Sequence, residues 1–259
     1  MRKITDRVVV MVTGSNVEPH DKNWKECERT WVPKLRELGY KVIIAVGNPD
    51  VGFVKTDEQK NNYFKFISEN IIQFNTFDNK FGTFDKSIKL PIKWILENTD
   101  YDFYFRIDSD SFVHPKRFDK MIKENLQKFP DLDYMGCCLP WMGWNPHQHS
   151  REMVCRDRHF AAGCGYMISR KGMEIADKKM RIDEPVHFYV DDWVLGRAMW
   201  ENRVPLLHDS RIYFESKHNV QINDFSKVGV PDITESDSHI AIQHYMKGKM
   251  DDAIKKLKL

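Results

Sequence analysis

A chain of 259 residues is long enough to bury a sizeable core and short enough to be one domain, with 41% hydrophobic and 30% charged residues suiting a globular protein. With 40 Lys+Arg against 38 Asp+Glu, the net charge of +2 lacks the basic bias of a nucleic-acid binder, so no nucleic-acid partner is expected. The five cysteines, Cys27, Cys137, Cys138, Cys155 and Cys164, are odd in number and form no CxxC pair, which argues against a disulfide framework or a zinc ribbon and fits a reducing compartment.

The chain opens on Met1 and runs at once into the apolar stretch Val8-Val9-Val10-Met11-Val12, far too short to span a bilayer. It reads instead as a first buried strand over 7–13, ending in the turn-rich Gly14-Ser15-Asn16. With no signal peptide and no membrane span read here, a soluble cytoplasmic protein is expected, a catalytic domain of a lumenal enzyme being the alternative. A helix is predicted over 22–38, closed by Gly39, a residue type that ends helices in the left-handed conformation. Strands follow over 41–46, closed by Gly47-Asn48-Pro49, and over 71–74. A helix over 83–97 carries Pro91 near its middle, where proline disrupts the hydrogen-bond ladder.

The pattern continues with a strand over 102–107, a helix over 115–129 and a strand over 133–138. An aromatic loop, Trp141-Met142-Gly143-Trp144-Asn145-Pro146-His147, precedes a glycine-interrupted strand over 160–169 and a helix from about Arg170. Asp191 or Asp192 caps a helix to about 202, a short strand spans 204–207, and a basic helix over 251–259 presents a solvated face. Short apolar runs alternating with amphipathic segments, without repeats or low-complexity linkers, predict an α/β domain.

The segment Phe103 to Val113 concentrates the chemistry. A buried strand ends, and Asp108 and Asp110 follow with one residue between them. Ligands of open α/β sheets bind beyond the carboxyl ends of strands. Two carboxylates there repel one another unless they share a cation, and hard cations such as Mn²⁺ or Mg²⁺ take carboxylate and phosphate oxygens together. A nucleoside diphosphate supplies the phosphate, and the cation would stabilise it as a leaving group. The bland alternative is that Asp-x-Asp is common in turns and N-caps.

Further residues fit around this pair. Arg29 and Lys89 suit a diphosphate, or are surface charges on amphipathic helices. Gly163 and Gly165 allow a ligand or a neighbouring backbone to approach, or mark a simple bulge. Trp141, Trp144 and His147-Gln148-His149 suit a wall for an acceptor sugar, or are ordinary loop packing; the two histidines are weak evidence for a metal.

These segments together resemble the β1,3-galactosyltransferase, N-acetylglucosaminyltransferase and Fringe family of inverting glycosyltransferases. Glu28-Arg29-Thr30-Trp31 is similar to the family's Arg-x-Thr-Trp helix, and 72–74 with 81–89 to its segment of acid, tyrosine, leucine and lysine, Trp94 sitting where the family has a tryptophan. Arg106-Ile107-Asp108-Ser109-Asp110 stands where the family has Lys-x-Asp-Asp-Asp. Residues 162–169 resemble its Gly-x-Gly-Tyr-x-x-Ser strand, and Asp191-Asp192-Trp193-Val194-Leu195-Gly196 its Glu-Asp-Val-x-x-Gly. Ser109 in place of the middle Asp and Asp191 in place of Glu depart from the pattern, as does the lack of a membrane anchor and of paired cysteines.

The resemblance implies a GT-A fold with a mixed, Rossmann-like central sheet flanked by helices, about 1–115 binding the nucleotide-sugar and about 116–259 the acceptor. It implies a UDP-sugar donor, a glycan or glycoconjugate acceptor, and Mn²⁺ or Mg²⁺. Asp110 would ligate the metal, Asp108 the ribose and metal, and Ser109 would lie against the donor. A histidine near the C-terminus, His244 or else His239, would complete the metal site. Asp192 would be the base that deprotonates the acceptor, with Asp191 as runner-up. Competing readings are a nucleotidyl- or phosphotransferase with the same carboxylate logic, a silent glycan-binding module, and a transferase acting on a modified nucleobase.

Overall fold

The computed structural model describes residues 2–51, 62–78, 88–140, 152–155, 159–180, 191–213, 233–234, 238–244, 246 and 248–259, with backbone alone at 139–140, 152–155, 159 and 191. Strands β1 (Val8–Thr13), β2 (Lys41–Asn48), β3 (Phe64–Ser68), β4 (Ile71–Phe77), β5 (Phe103–Asp108), β7 (Tyr134–Pro140), β8 (Glu152–Cys155), β9 (His159–Ser169) and β10 (Leu206–Asp209) form one sheet in the order β3-β4-β2-β1-β5-β9-β7-β10-β8. Strands β6 (Phe112–Val113), β11 (Ile212–Tyr213) and β12 (Ile242–Gln243) form a second, in the order β11-β12-β6. The helices are α1 (Asp21–Arg29), α2 (Trp31–Glu37), α3 (Leu90–Asn98), α4 (Pro115–Lys128), α5 (Arg170–Lys179), α6 (Asp191–Glu201) and α7 (Met250–Leu257).

The core follows from strand periodicity. β1 is buried on both faces, as its run of valines requires. Val8, Val10 and Val12 pack with Trp31 and Leu35 of α2, Phe118, Met121 and Ile122 of α4 and Met250 of α7. Val9 and Met11 pack on the other face with Ile92 and Ile95 of α3, Met173 of α5 and Leu195 of α6. The fold is thus an α/β fold, as expected, with a mixed central sheet flanked by helices.

Strands β4, β2, β1 and β5 are parallel, while β9 runs antiparallel to both β5 and β7. The chain moves from β1 outward through β2 to β4, then returns to place β5 on the other side of β1. This reversal is a topological switch point at the carboxyl ends of β1 and β5, where Thr13 and Asp108 are register partners.

Several elements differ from the sequence expectation. The helix over 22–38 is two helices. Thr30, at φ −107° and ψ −93°, breaks it, and its Oγ1 donates to the Glu26 carbonyl at 2.6 Å. Pro33, in the first turn of α2, has no amide to offer the carbonyl four residues back. Gly39 closes α2 at φ +95°, as expected. Pro91 is in the first turn of α3, where its missing N–H costs nothing; residues 81–87 lie outside the described set. The edge strand β3, antiparallel to β4, and the two-residue strands of the second sheet had no signal in the periodicity.

The second sheet is anchored from below. Asp209, fully buried, accepts from Asn125 Nδ2 at 2.7 Å and from Arg211 Nε at 2.8 Å. Burial works against its charge, but the bonds from Arg211 and Asn125 outweigh it and hold its carboxyl below the usual range. The Arg211 carbonyl accepts from the amides of Ala241 and Ile242, which fixes β12 beside β11. His114, ahead of α4, donates its backbone amide to the Ala241 carbonyl at 2.9 Å.

Burial, with the nearby Arg117 and Lys116 charges, lowers the His114 imidazole from 6.5 to about 4. The unfolded chain therefore takes up this proton first as pH falls. Stability is full above about 6.5 and declines as pH drops toward 4. Urea midpoints between pH 7.5 and 4 should show this decline, and His114→Gln should flatten it.

Candidate active site

Asp108 ends β5, and the turn after it is tied by the Ser109 amide to the Thr13 carbonyl at 3.1 Å and by the Ser111 amide to the Asp108 carbonyl at 3.0 Å. Cys27 of α1, fully buried, donates its thiol to the Ser109 carbonyl at 3.1 Å. Ser109 is thus held from both sides by its backbone.

The small sheet then brings the distant C-terminal segment to this turn. β12 pairs antiparallel with β6, which follows Asp110, and parallel with β11. His244 follows β12, its amide donating to the Tyr213 carbonyl at 3.1 Å, and the Met246 amide donates to the Asp110 carbonyl at 2.8 Å. The His244 Nε2 lies 3.1 Å from Asp110 Oδ1 and 4.0 Å from Asp108 Oδ2. Ligand atoms of Asp108, Asp110 and His244 all fall within 4.8 Å of one another. His244 is buried, whereas the Asp108 and Asp110 side chains are 29% and 20% exposed, so the group opens on one side. Two carboxylate oxygens and one imidazole nitrogen converging this closely fit a divalent cation that also takes oxygens from a ligand. Of the two histidines considered, His244 reaches the carboxylates, while the His239 side chain is exposed.

Arg106 joins this group to Asp192. Its side chain, 4% exposed, lies 2.7 Å from Asp108 Oδ1 through one terminal nitrogen. The other donates to Asp192 Oδ1 at 3.1 Å and to the Gly163 carbonyl at 3.0 Å. Asp192 Oδ2 accepts the Gly163 amide at 2.6 Å. One guanidinium therefore ties the turn after β5 to the start of α6. Arg106 stands out only with the fold in hand, although its signal, a cation inside a buried strand two residues before Asp108, was in the sequence.

Gly163 has a direct steric reason. A Cβ there would run into the Arg106 guanidinium, Asp108 Oδ2 at 2.7 Å and Asp192 Oδ2 at 2.9 Å. Gly163→Ala should push these three groups apart at a stability cost of about 1–3 kcal/mol. Denaturant unfolding checks the cost, and weakened Mn²⁺ binding would show that the loss centres on the carboxylates. At Gly165 a Cβ would meet Ile242 Cδ1 at 2.9 Å, so packing against β12 also asks for glycine there. The bulge reading also holds here. Gly136 pairs with Tyr166 and Cys138 with Ala161, so residues 162–165 face the single Cys137.

Arg29 and Lys89 have protein partners. Arg29, with its side chain 60% exposed, binds Asp251 of α7 through two bonds, at 2.5 and 3.3 Å, which matches the surface reading. Lys89 is not a surface charge. It is buried, and its Nζ donates to the Met180 carbonyl at 2.8 Å. Trp141, Trp144, His147 and His149 lie outside the described residues, as does the Asp191 side chain.

No family model matches the chain, and no curated protein matches it. Among solved structures, the chain is similar to CMP:2-keto-3-deoxy-manno-octonic acid synthetase complexed with CTP (TM-score 0.46, 10% identity, 78% of this chain and 88% of that chain). It is also similar to a glycosyltransferase involved in glycosylation of the major capsid of PBCV-1 (TM-score 0.46, 12% identity, 96% and 98%) and to A197 from STIV (TM-score 0.37, 11% identity, 78% and 81%). Among the described residues, no helix is long and apolar enough to cross a membrane.

Proposed function

We propose that this protein is a metal-dependent, inverting glycosyltransferase that moves a sugar from a nucleotide-sugar, a UDP-sugar by residue resemblance, to a hydroxyl of a glycan or glycoconjugate. The observation that carries this is the convergence of Asp108, Asp110 and His244 within 4.8 Å beyond the carboxyl end of β5, tied through Arg106 to Asp192. The nearer assignment, to the β1,3-galactosyltransferase, N-acetylglucosaminyltransferase and Fringe family, rests on residue resemblance alone. In this reading about 1–115 bind the donor and about 116–259 the acceptor.

Asp108, Asp110 and His244 would hold Mn²⁺ or Mg²⁺, which when bound supplies positive charge to the departing diphosphate. Asp192 is the base. Its oxygens accept from the Gly163 amide and Arg106, bonds that hold the carboxylate in place beside Asp108. The acceptor oxygen bonds to the anomeric carbon as the bond to the diphosphate breaks, and the acceptor proton passes to Asp192. Asp191, next in the chain, is the alternative base. Trp141 and Trp144 are proposed to cover the acceptor sugar.

Product analysis tests the reaction class. Incubation with UDP-sugars, Mn²⁺ and oligosaccharide acceptors should yield free UDP and a glycoside of inverted anomeric configuration. Transfer of a nucleotidyl or phosphoryl group, or glycan binding without turnover, would sink the proposal.

A further inference from the structure

We infer that Glu26 of α1 is a positioning residue for the His244 side of the three-residue group, a role that rests on the metal reading above. His244 lies on a segment that must cross from β12 to α7 while keeping its imidazole against Asp110. The segment is tied to the Tyr213 carbonyl at its own amide and to the Asp110 carbonyl at the Met246 amide. Beyond Met246, one carboxylate holds two amides of this segment. Glu26 Oε2 accepts the Gly248 amide at 2.7 Å, and Oε1 accepts the Met250 amide at 3.0 Å. Glu26 is 8% exposed, and its bond to the Met250 amide is buried.

The Met250 amide is in the first turn of α7, where no intrahelical acceptor exists and the helix dipole favours an anion. The Met250 side chain, fully buried, seats the same turn against Cys27 Sγ and Thr30 Oγ1. The next residue of α1, Cys27, holds the Ser109 carbonyl between the two aspartates. A single turn of α1 therefore supports both sides of the group: Cys27 the Asp-Ser-Asp turn, and Glu26 the strap that carries His244. The contribution of α1 to the site is this support, while its Arg29 is engaged by Asp251 at the surface.

The test is Mn²⁺ affinity of the full chain, read from the free-Mn²⁺ electron paramagnetic resonance signal without nucleotide or acceptor. Outer-shell partners of metal ligands typically contribute about 10–100-fold in affinity. Glu26 bonds no ligand itself and acts through the backbone of the segment. Glu26→Gln, which leaves one carbonyl for two amides, should therefore weaken Mn²⁺ by a few-fold and Glu26→Ala by about tenfold, the low end of that range. Asp251→Ala, which removes the exposed Arg29 contact between the same two helices and leaves the Glu26 bonds in place, should bind as the wild type does. Hydrogen exchange at the Gly248 and Met250 amides should quicken in Glu26→Gln while β1 amides stay protected. Unchanged Mn²⁺ affinity in Glu26→Gln, with the wild type binding, overturns the inference and leaves the metal reading standing. A wild type that does not bind Mn²⁺ overturns the metal reading itself. If Glu26→Ala does not fold, Glu26→Gln decides.

Discussion

Asp110→Asn should lower Mn²⁺ affinity by at least the ~10–100-fold that loss of an outer-shell partner costs, and should remove sugar transfer with it. The substitution keeps the size of the side chain and removes its charge. Asp110 Oδ1 is the carboxylate oxygen nearest to His244 Nε2, at 3.1 Å, and its neighbour Asp108 spends Oδ1 on Arg106. If Asp110 and His244 were a simple ion pair, Asp110→Asn would cost a little stability and leave Mn²⁺ binding untouched. Titration of Mn²⁺ into both proteins, with circular dichroism to check the fold, separates the two.

Arg106→Met should destabilise the protein by about 3–5 kcal/mol, the range for removing one partner from a buried ion pair. Two carboxylates would then face each other across the position the guanidinium held, and Asp192, the more buried of the two, would carry most of the cost. Arg106→Lys should recover only part, because an ammonium cannot reach Asp108, Asp192 and the Gly163 carbonyl with separate nitrogens. Adding Asp192→Asn to Arg106→Met should restore stability relative to the single change, since the uncompensated charge is gone. Denaturant unfolding of wild type, Arg106→Met, Asp192→Asn and the double variant measures the coupling. Equal stability of wild type and Arg106→Met would contradict the bridge.

The sheet and its helices were legible because their signals are local. The valine run of β1, the aromatic alternation of β5 and Gly39 each act over a few residues. The Asp108–Asp110 pair was legible for the same reason, since it follows directly on a buried strand. His244 was legible only through its similarity to a family pattern. Spacing alone cannot show that β12 lies beside β6 and brings residue 244 to residue 110. The bridging role of Arg106 is not legible in the sequence because its partners come from positions 163 and 192, on two other elements. Helix propensity ran through Thr30 because the hydroxyl that turns back on the Glu26 carbonyl is an alternative the pattern does not register. The supporting role of Glu26 depends on amides at 248 and 250, which no local pattern connects to it.

The central claim is that Asp108, Asp110 and His244 form a metal-dependent nucleotide site. Thermal unfolding of the wild-type chain with UDP, GDP, CMP or buffer alone, each with Mn²⁺ and with chelator, tests it most directly. A ligand bound only by the folded state adds RT ln(1 + [L]/Kd), about 2.7 kcal/mol at a hundredfold excess over Kd. The site described here predicts a rise in unfolding temperature with UDP that needs Mn²⁺ and disappears with chelator. No response to any nucleotide, or a response indifferent to chelator, would contradict it.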